Sequence, residues 1–269
     1  MSQEIETFNG LWIGNKLSLI ELLTIQSFLS FGYHFKLWIY EPLQNDLPEK
    51  VELCNANEII PHNQIFYYKN KSQFGIGKGS VAGFSDIFRY KLLYEHGGWW
   101  VDMDITCLKK IDFAASYFFR NHHNLKVVGN VMKCPKHSVL MKHCYEEATA
   151  TIDEHNTDWH KPIDILVKHI ELQQLENFIV KDCSNTDMWH DTSRFIFTNE
   201  MPPQNWQFIH WQNEEWRSRN LSKSVFYPDS FLEKLLVKYG LYKKPETFLE
   251  KLKCKILLSN IVRRIKKFV

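Results

Sequence analysis

The chain has 269 residues, 44% of them hydrophobic, 14% aromatic and 24% charged, a composition that excludes extended disorder and supplies a sizeable core. Its 33 lysines and arginines nearly balance 31 aspartates and glutamates, so a net charge of +2 offers no overall field to a nucleic-acid partner. The balance is local, however. Residues 243–269 hold nine cations against two anions, a net +7, which leaves −5 of the total for the rest of the chain.

In chain order, the short apolar run 8–13 reads as a strand ended by Gly14, and 18–31 as a helix opened by Ser18 and closed by Gly32. Residues 34–40 read as a second strand stopped by Pro42, so the β-α-β order predicts a parallel pair joined by a right-handed crossover. An Asn- and Gly-rich loop over 61–79 precedes a helix over 80–95 that Gly97 and Gly98 terminate, and 99–103 reads as a strand. Strands follow at 117–120 and 125–128, and helices at 137–150 and 163–175. Past Thr192 the sequence is aromatic and irregular, including Phe195-Ile196-Phe197 and 206–211, before helices at 229–239 and 245–268. Neither an internal repeat nor a low-complexity segment is present, which predicts one domain over 1–240 and a basic amphipathic helix over 241–269.

Six cysteines (Cys54, Cys107, Cys134, Cys144, Cys183 and Cys254) lack metal-ligand spacing and read as reduced thiols, consistent with a cytoplasmic location. The acidic first residues lack a secretory pattern, and no apolar window is long enough to cross a bilayer. In the tail, Phe248, Leu252, Ile256, Leu257, Ile261, Ile265 and Phe268 form one stripe with lysines and arginines largely off it. Such a helix suits the anionic inner face of a membrane, and sedimentation with anionic liposomes with and without the tail tests it. The bland reading is a helix docked on the protein's own core.

Three motifs bear on chemistry. Gly75-Ile76-Gly77-Lys78-Gly79-Ser80 fails as a phosphate loop because Gly79 follows Lys78, and it reads as a mobile turn. His122-His123 lacks a partner at ligand spacing and reads as loop. The segment 84–104 is denser. On a helix Asp86 and Arg89 share a face, and on a strand Asp102 and Asp104 share one with Met103 turned away. Two carboxylates at a strand's C-terminal end stand where α/β sheets bind ligands, and they offer hard oxygen donors to a divalent cation.

The series Ser85, Asp86, Arg89, Tyr90, Gly97, Gly98, Trp100, Asp102 and Asp104 resembles the core of DxD-containing GT-A glycosyltransferases, in particular the capsular-polysaccharide sugar transferases and, distantly, the glucosylating clostridial toxins. Trp12-Ile13-Gly14 resembles the family's first strand end, and His210-Trp211 with Trp216 its closing segment. The resemblance covers 7–113 well. It implies an α/β, Rossmann-like GT-A fold for nucleotide-sugar binding with a helical C-terminal elaboration.

It further implies Mn²⁺ or Mg²⁺ at Asp102, Asp104 and His210, with Asp86 on donor-sugar hydroxyls and Arg89 on the sugar or diphosphate. Trp12, Ile13, Trp100 and Trp216 would line the donor, with Trp12 stacked on the base and His210 to Trp216 forming a lid. The implied activity is hexosyl transfer from a nucleotide diphosphate sugar, UDP-linked, to a surface polysaccharide or lipid-linked glycan with retention. Two rival classes, a non-catalytic sugar-nucleotide module and a glycoside hydrolase, are set against it. Intact Asp102 and Asp104 disfavour the first, and two carboxylates on one side of a sugar disfavour the second.

Overall fold

The computed structural model describes residues 5–111 and 114–247. The first strand, β1 (Thr7–Trp12), leads through Ser18 into α1 (Leu19–Ser30). Ser18 makes a reciprocal capping box with Glu21: its hydroxyl faces the first helical N–H groups, while Glu21 Oε2 accepts from Ser18 N at 2.6 Å. Then come β2 (His34–Ile39) and β3 (Val51–Asn55), paired parallel to β1 in the order β3-β2-β1. The crossover read from periodicity is therefore present. β3 was not anticipated, because its side chains are half-buried or exposed and leave a weak apolar pattern.

The next helix, α2 (Ala82–His96), is closed by Gly97 at φ +68°, with Gly98 at +82°. A Cβ at Gly97 would lie 2.5 Å from the backbone nitrogen of Lys136, so the Gly-Gly pair is what allows the reversal from α2 into β4 (Gly98–Val101). β4 pairs parallel with β1 on the side opposite β2. The sheet order therefore reverses between β1 and β4, and the crevice beyond the carboxyl ends of these strands is where such sheets bind ligands.

β4 ends at Val101, two residues short of the expected strand. Asp102 to Asp104 form a turn in which Ile105 N donates to Asp102 O at 3.1 Å, so the alternating-face argument for the two aspartates does not apply. Met103 packs inward, its Sδ 2.6 Å from where a Cβ on Gly10 would stand. Two buried hydroxyls of α1 hold the outgoing chain: Thr24 donates to Met103 O at 2.9 Å, and Ser27 accepts from Cys107 N at 2.9 Å. Thus α1 positions the turn that carries both aspartates.

The chain continues through β5 (Ile105–Cys107), β6 (Phe118–His122) and β7 (Lys126–Cys134), the last far longer than the expected 125–128. It then forms α3 (Val139–Thr151), α4 (Lys161–Leu172) and a short β8 (Ile179–Val180). β7 joins the main sheet antiparallel to β4, β6 pairs antiparallel to β7 and β8 parallel to β6, giving seven strands ordered β3-β2-β1-β4-β7-β6-β8. After α5 (Trp189–Phe197), β9 (Phe208–His210) pairs with β5 in a separate two-stranded sheet, followed by α6 (Asn213–Ser218) and α7 (Phe231–Lys238).

The α/β class with a helical C-terminal elaboration stands, but the stretch around Phe195 is helical rather than irregular. The five cysteines among the described residues are free thiols. No helix among them is long and apolar enough to cross a membrane. Of the expected terminal helix, 245–247 are not helical, and 248–269 lie outside the described residues.

Candidate functional site

Two clusters of charge meet at the turn after β4. In the first, α2 presents Asp86 and Arg89 one turn apart, and Arg89 Nη2 lies 2.7 Å from Asp86 Oδ1 and 3.3 Å from Asp102 Oδ1. This is no solvated helical pair, since the side chains of Arg89 and Asp86 are only 6% and 15% exposed. The guanidinium lies over the Trp100 ring at 5.4 Å, and Trp100 Nε1 donates to Asp102 Oδ1 at 2.7 Å. Gly129 on β7 makes room for it: a Cβ there would stand 2.1 Å from Arg89 Nη1.

Burial pushes the Asp86 carboxyl up to about 6, against the opposing pull of Arg89. Burial also raises Asp102, as does neighbouring Asp104, with Arg89 opposing. Arg89 itself stays a cation, because the surrounding carboxylates outweigh its burial.

The second cluster brings Asp104 and His210 together, as the resemblance implied, and adds Asp187 and Arg120, which it did not. Pairing of β5 with β9 sets Ile105 opposite His210, and Trp211 N donates to Asp104 O at 2.9 Å, so a residue 106 positions later in the chain is delivered to the aspartate turn. His210 Nε2 lies 3.3 Å from Asp104 Oδ2, which also accepts from Asn213 N at 2.6 Å. On the other side of the ring, His210 Nδ1 lies 2.6 Å from Asp187 Oδ1.

Arg120 Nη1 holds both oxygens of Asp187 at 2.9 Å. Asn130 joins the clusters: its carbonyl accepts from Asp102 N at 2.9 Å, while its side chain contacts Arg120 at 3.2 Å and the His210 ring at 3.2 Å. Burial opposes charge on His210, yet Asp104 and Asp187 together lift it to about 10. Burial would likewise raise Asp104 and Asp187, but His210 holds Asp104 below the ordinary carboxylate range, and Arg120 with His210 does the same for Asp187.

In chemistry this donor set suits a divalent cation, and Asp104 and His210 already converge at 3.3 Å, but Asp102 faces Arg89 and Trp100 and the three do not bring their ligand atoms within 4.8 Å of one another. Two carboxylates and one imidazole are hard-to-borderline ligands, and a cation held by Asp104 and His210 would take the place of the proton that these carboxylates favour on the ring. A separate group, His122, His123 and Asp187, brings its ligand atoms within 4.8 Å of one another, correcting the reading of this histidine pair as a partnerless loop. It fits a cation less well. His122 Nδ1 accepts from Asn124 N and Leu125 N at 3.1 Å each, and burial keeps the ring neutral, with its pKa lowered to about 4. The remaining proton therefore sits on Nε2, facing Asp187 Oδ2 at 3.7 Å as a donor rather than a ligand.

Of the other expected site residues, Trp12 and Ile13 lie half-buried at the end of β1, and Trp12 Nε1 has no hydrogen-bond partner. Trp100 is buried beneath Arg89 and supports it instead of facing the donor. Trp216 is a correction: it packs in a core with Phe226 and Leu232 and donates Nε1 to Trp211 O at 2.8 Å, so it is a core residue and not a lid face. The glycine loop is pinned, with Gly77 N donating to Glu214 Oε1 at 3.0 Å and Arg217 Nη2 to Lys78 O at 2.9 Å.

Sequence reasoning missed Asp187, Arg120, Asn130 and Asn185. One signal was available: an arginine inside the apolar strand 118–122 must find an anionic partner once buried.

Residues 28–121 match the family described as glycosyltransferase sugar-binding region containing DXD motif, a span that includes Asp86, Arg89, Asp102 and Asp104 but not His210 or Asp187. Among solved structures, the chain is similar to the PaToxG glycosyltransferase at 14% identity, covering 62% of this chain and 68% of that one with a TM-score of 0.47. It is also similar to a transferase solved as a double cysteine-to-serine mutant, at 11% identity, covering 64% and 86% with a TM-score of 0.38. No curated protein sequence matches significantly. Residues 28–121 thus carry a DXD-type glycosyltransferase sugar-binding region.

Proposed function

We propose that this protein is a glycosyltransferase that moves a hexose from a nucleoside diphosphate sugar, UDP-linked, to a hydroxyl of a surface polysaccharide or lipid-linked glycan. It works with Mn²⁺ or Mg²⁺ at Asp102, Asp104 and His210, and with retention of configuration. One observation carries the reading: Arg89, a buried guanidinium, is shared by Asp86 and Asp102 directly beside the Asp104–His210 pair. Donor base, acceptor class and stereochemistry rest on the sequence resemblance.

A bound cation would supply charge neutralisation for the departing diphosphate. The chain's own residues do the rest. Arg89, held by Trp100 and by the bare Cα of Gly129, turns Nη2 to the carboxylates of Asp86 and Asp102 at the turn beside the cation site. Asp86, once ionised, accepts hydrogen bonds from sugar hydroxyls, and Asp104, kept anionic, maintains negative charge at the cation site. Incubation with a panel of UDP-sugars, Mn²⁺ and glycan acceptors tests the reading. UDP release dependent on protein and cation is expected, whereas binding without turnover across the panel would defeat it.

The Asp86 role has a pH signature. Its carboxyl titrates near pH 6, so below that value it is protonated and accepts less well, and above it the anion is available. kcat/KM for the donor should fall with acidification below about pH 6, approaching tenfold per pH unit for one essential ionisation. Asp86→Asn should lower kcat/KM and flatten that limb. An unchanged acid limb in the variant would assign the titration to another group.

A further inference from the structure

The geometry points to Asp187 as the positioning residue that fixes which nitrogen of His210 faces Asp104, an assignment that rests on the metal-site reading above. Asp187 lies in the loop between β8 and α5, far in sequence from every motif residue. A carboxylate accepts and does not donate, so the 2.6 Å separation between Asp187 Oδ1 and His210 Nδ1 places a proton on Nδ1. Asn130 Nδ2, 3.2 Å from the same nitrogen, could donate only to a bare Nδ1 and so favours the opposite tautomer, but the anionic Asp187 oxygen is closer, at 2.6 Å, and makes the stronger, charge-assisted bond. When the ring is neutral, its lone pair is therefore on Nε2, the nitrogen 3.3 Å from Asp104 Oδ2. Without Asp187 the two tautomers would compete, and one of them turns N–H toward the cation.

The surrounding contacts fix this orientation. Both Asp187 oxygens are held by Arg120, which is nearly fully buried and also donates to the Asn185 carbonyl. Asn185 clamps the His210 backbone on both sides, its Oδ1 accepting from His210 N at 2.8 Å and its Nδ2 donating to His210 O at 3.0 Å. One short segment, 185–187, therefore fixes both the ring and the main chain of His210. A carboxylate behind a histidine fixes the tautomer and raises ligand basicity in metal sites, and removing it costs about 10–100-fold in metal affinity. Asp187 is poorly placed to bind the cation itself, because Arg120 and His210 already occupy its oxygens.

The test uses Mn²⁺ alone on the full chain, by calorimetric titration and by pulsed paramagnetic resonance for imidazole nitrogen coupling. Wild type should bind Mn²⁺ and show the nitrogen coupling. Asp187→Asn, which keeps the shape, should raise the Kd about 10–100-fold and weaken or abolish that coupling. A variant with the wild-type Kd and coupling overturns the assignment while leaving the metal reading intact. Wild-type protein that binds no Mn²⁺ overturns both. Should Asp187→Asn fail to fold, long-range ¹H–¹⁵N spectra of wild type with diamagnetic Zn²⁺ read the tautomer directly. Protonated Nδ1 with bare Nε2 on His210 is expected, and the reverse tautomer overturns the assignment.

Discussion

Asp104→Asn should remove essentially all transferase activity, by about 10²–10³-fold or more, while the protein still folds. The carboxylate has two tasks in the structure: one oxygen accepts the Asn213 N–H at 2.6 Å, and its charge faces His210 at 3.3 Å. An amide oxygen can retain the first task and cannot perform the second. Asp104→Ala would also orphan the Asn213 N–H, at a cost of about 1–3 kcal/mol, and so confounds chemistry with stability. Asparagine is the cleaner variant. Wild-type protein treated with excess chelator should match it, and Mn²⁺ should restore wild type but not the variant. Initial rates with and without chelator, beside thermal melting curves, check this. Full turnover in excess chelator would sink the metal assignment.

Much of this site was legible because its parts are local. Asp86 and Arg89 are one helical turn apart, so sequence spacing already placed them together, and Gly97-Gly98 marked the reversal that delivers Asp102. The alternation argument failed at Asp102 and Asp104 because it describes extended chain. Here Met103 docks against Gly10 and the backbone turns back on itself at Ile105.

α5 was hidden for a related reason. Its buried residues Thr192, Phe195 and Ile196 have helical spacing, but over nine residues the adjacent Phe195-Ile196-Phe197 reads equally well as strand. Arg120, Asp187 and His210 meet through β6, a loop and a two-stranded sheet, and no local pattern encodes such pairing. A buried charge in a strand tells only that a partner exists.

Arg89→Lys should be nearly as damaging to activity as loss of the Asp104 carboxylate, although the charge is kept. The guanidinium reaches Asp86 at 2.7 Å and Asp102 at 3.3 Å from one nitrogen and stacks on Trp100, while a flexible ammonium has no planar face to stack and no fixed fork. An exposed pair at this spacing would be worth under about 0.5 kcal/mol, but this pair is buried, and two carboxylates depend on the same cation. Lysine should therefore lower kcat/KM by about 10²-fold, with most of the loss in donor affinity if Arg89 binds sugar or diphosphate in the ground state. Stability should fall too, by about 1–3 kcal/mol, because hydrogen bonds to charged groups are lost in a dry setting. A double-mutant cycle with Asp86→Asn separates the two effects. Coupling in both melting and kcat/KM is expected for residues in contact. If Arg89→Lys turns over donor at wild-type kcat and KM while melting early, the pair is a structural strut beneath the site and not part of the donor's binding surface.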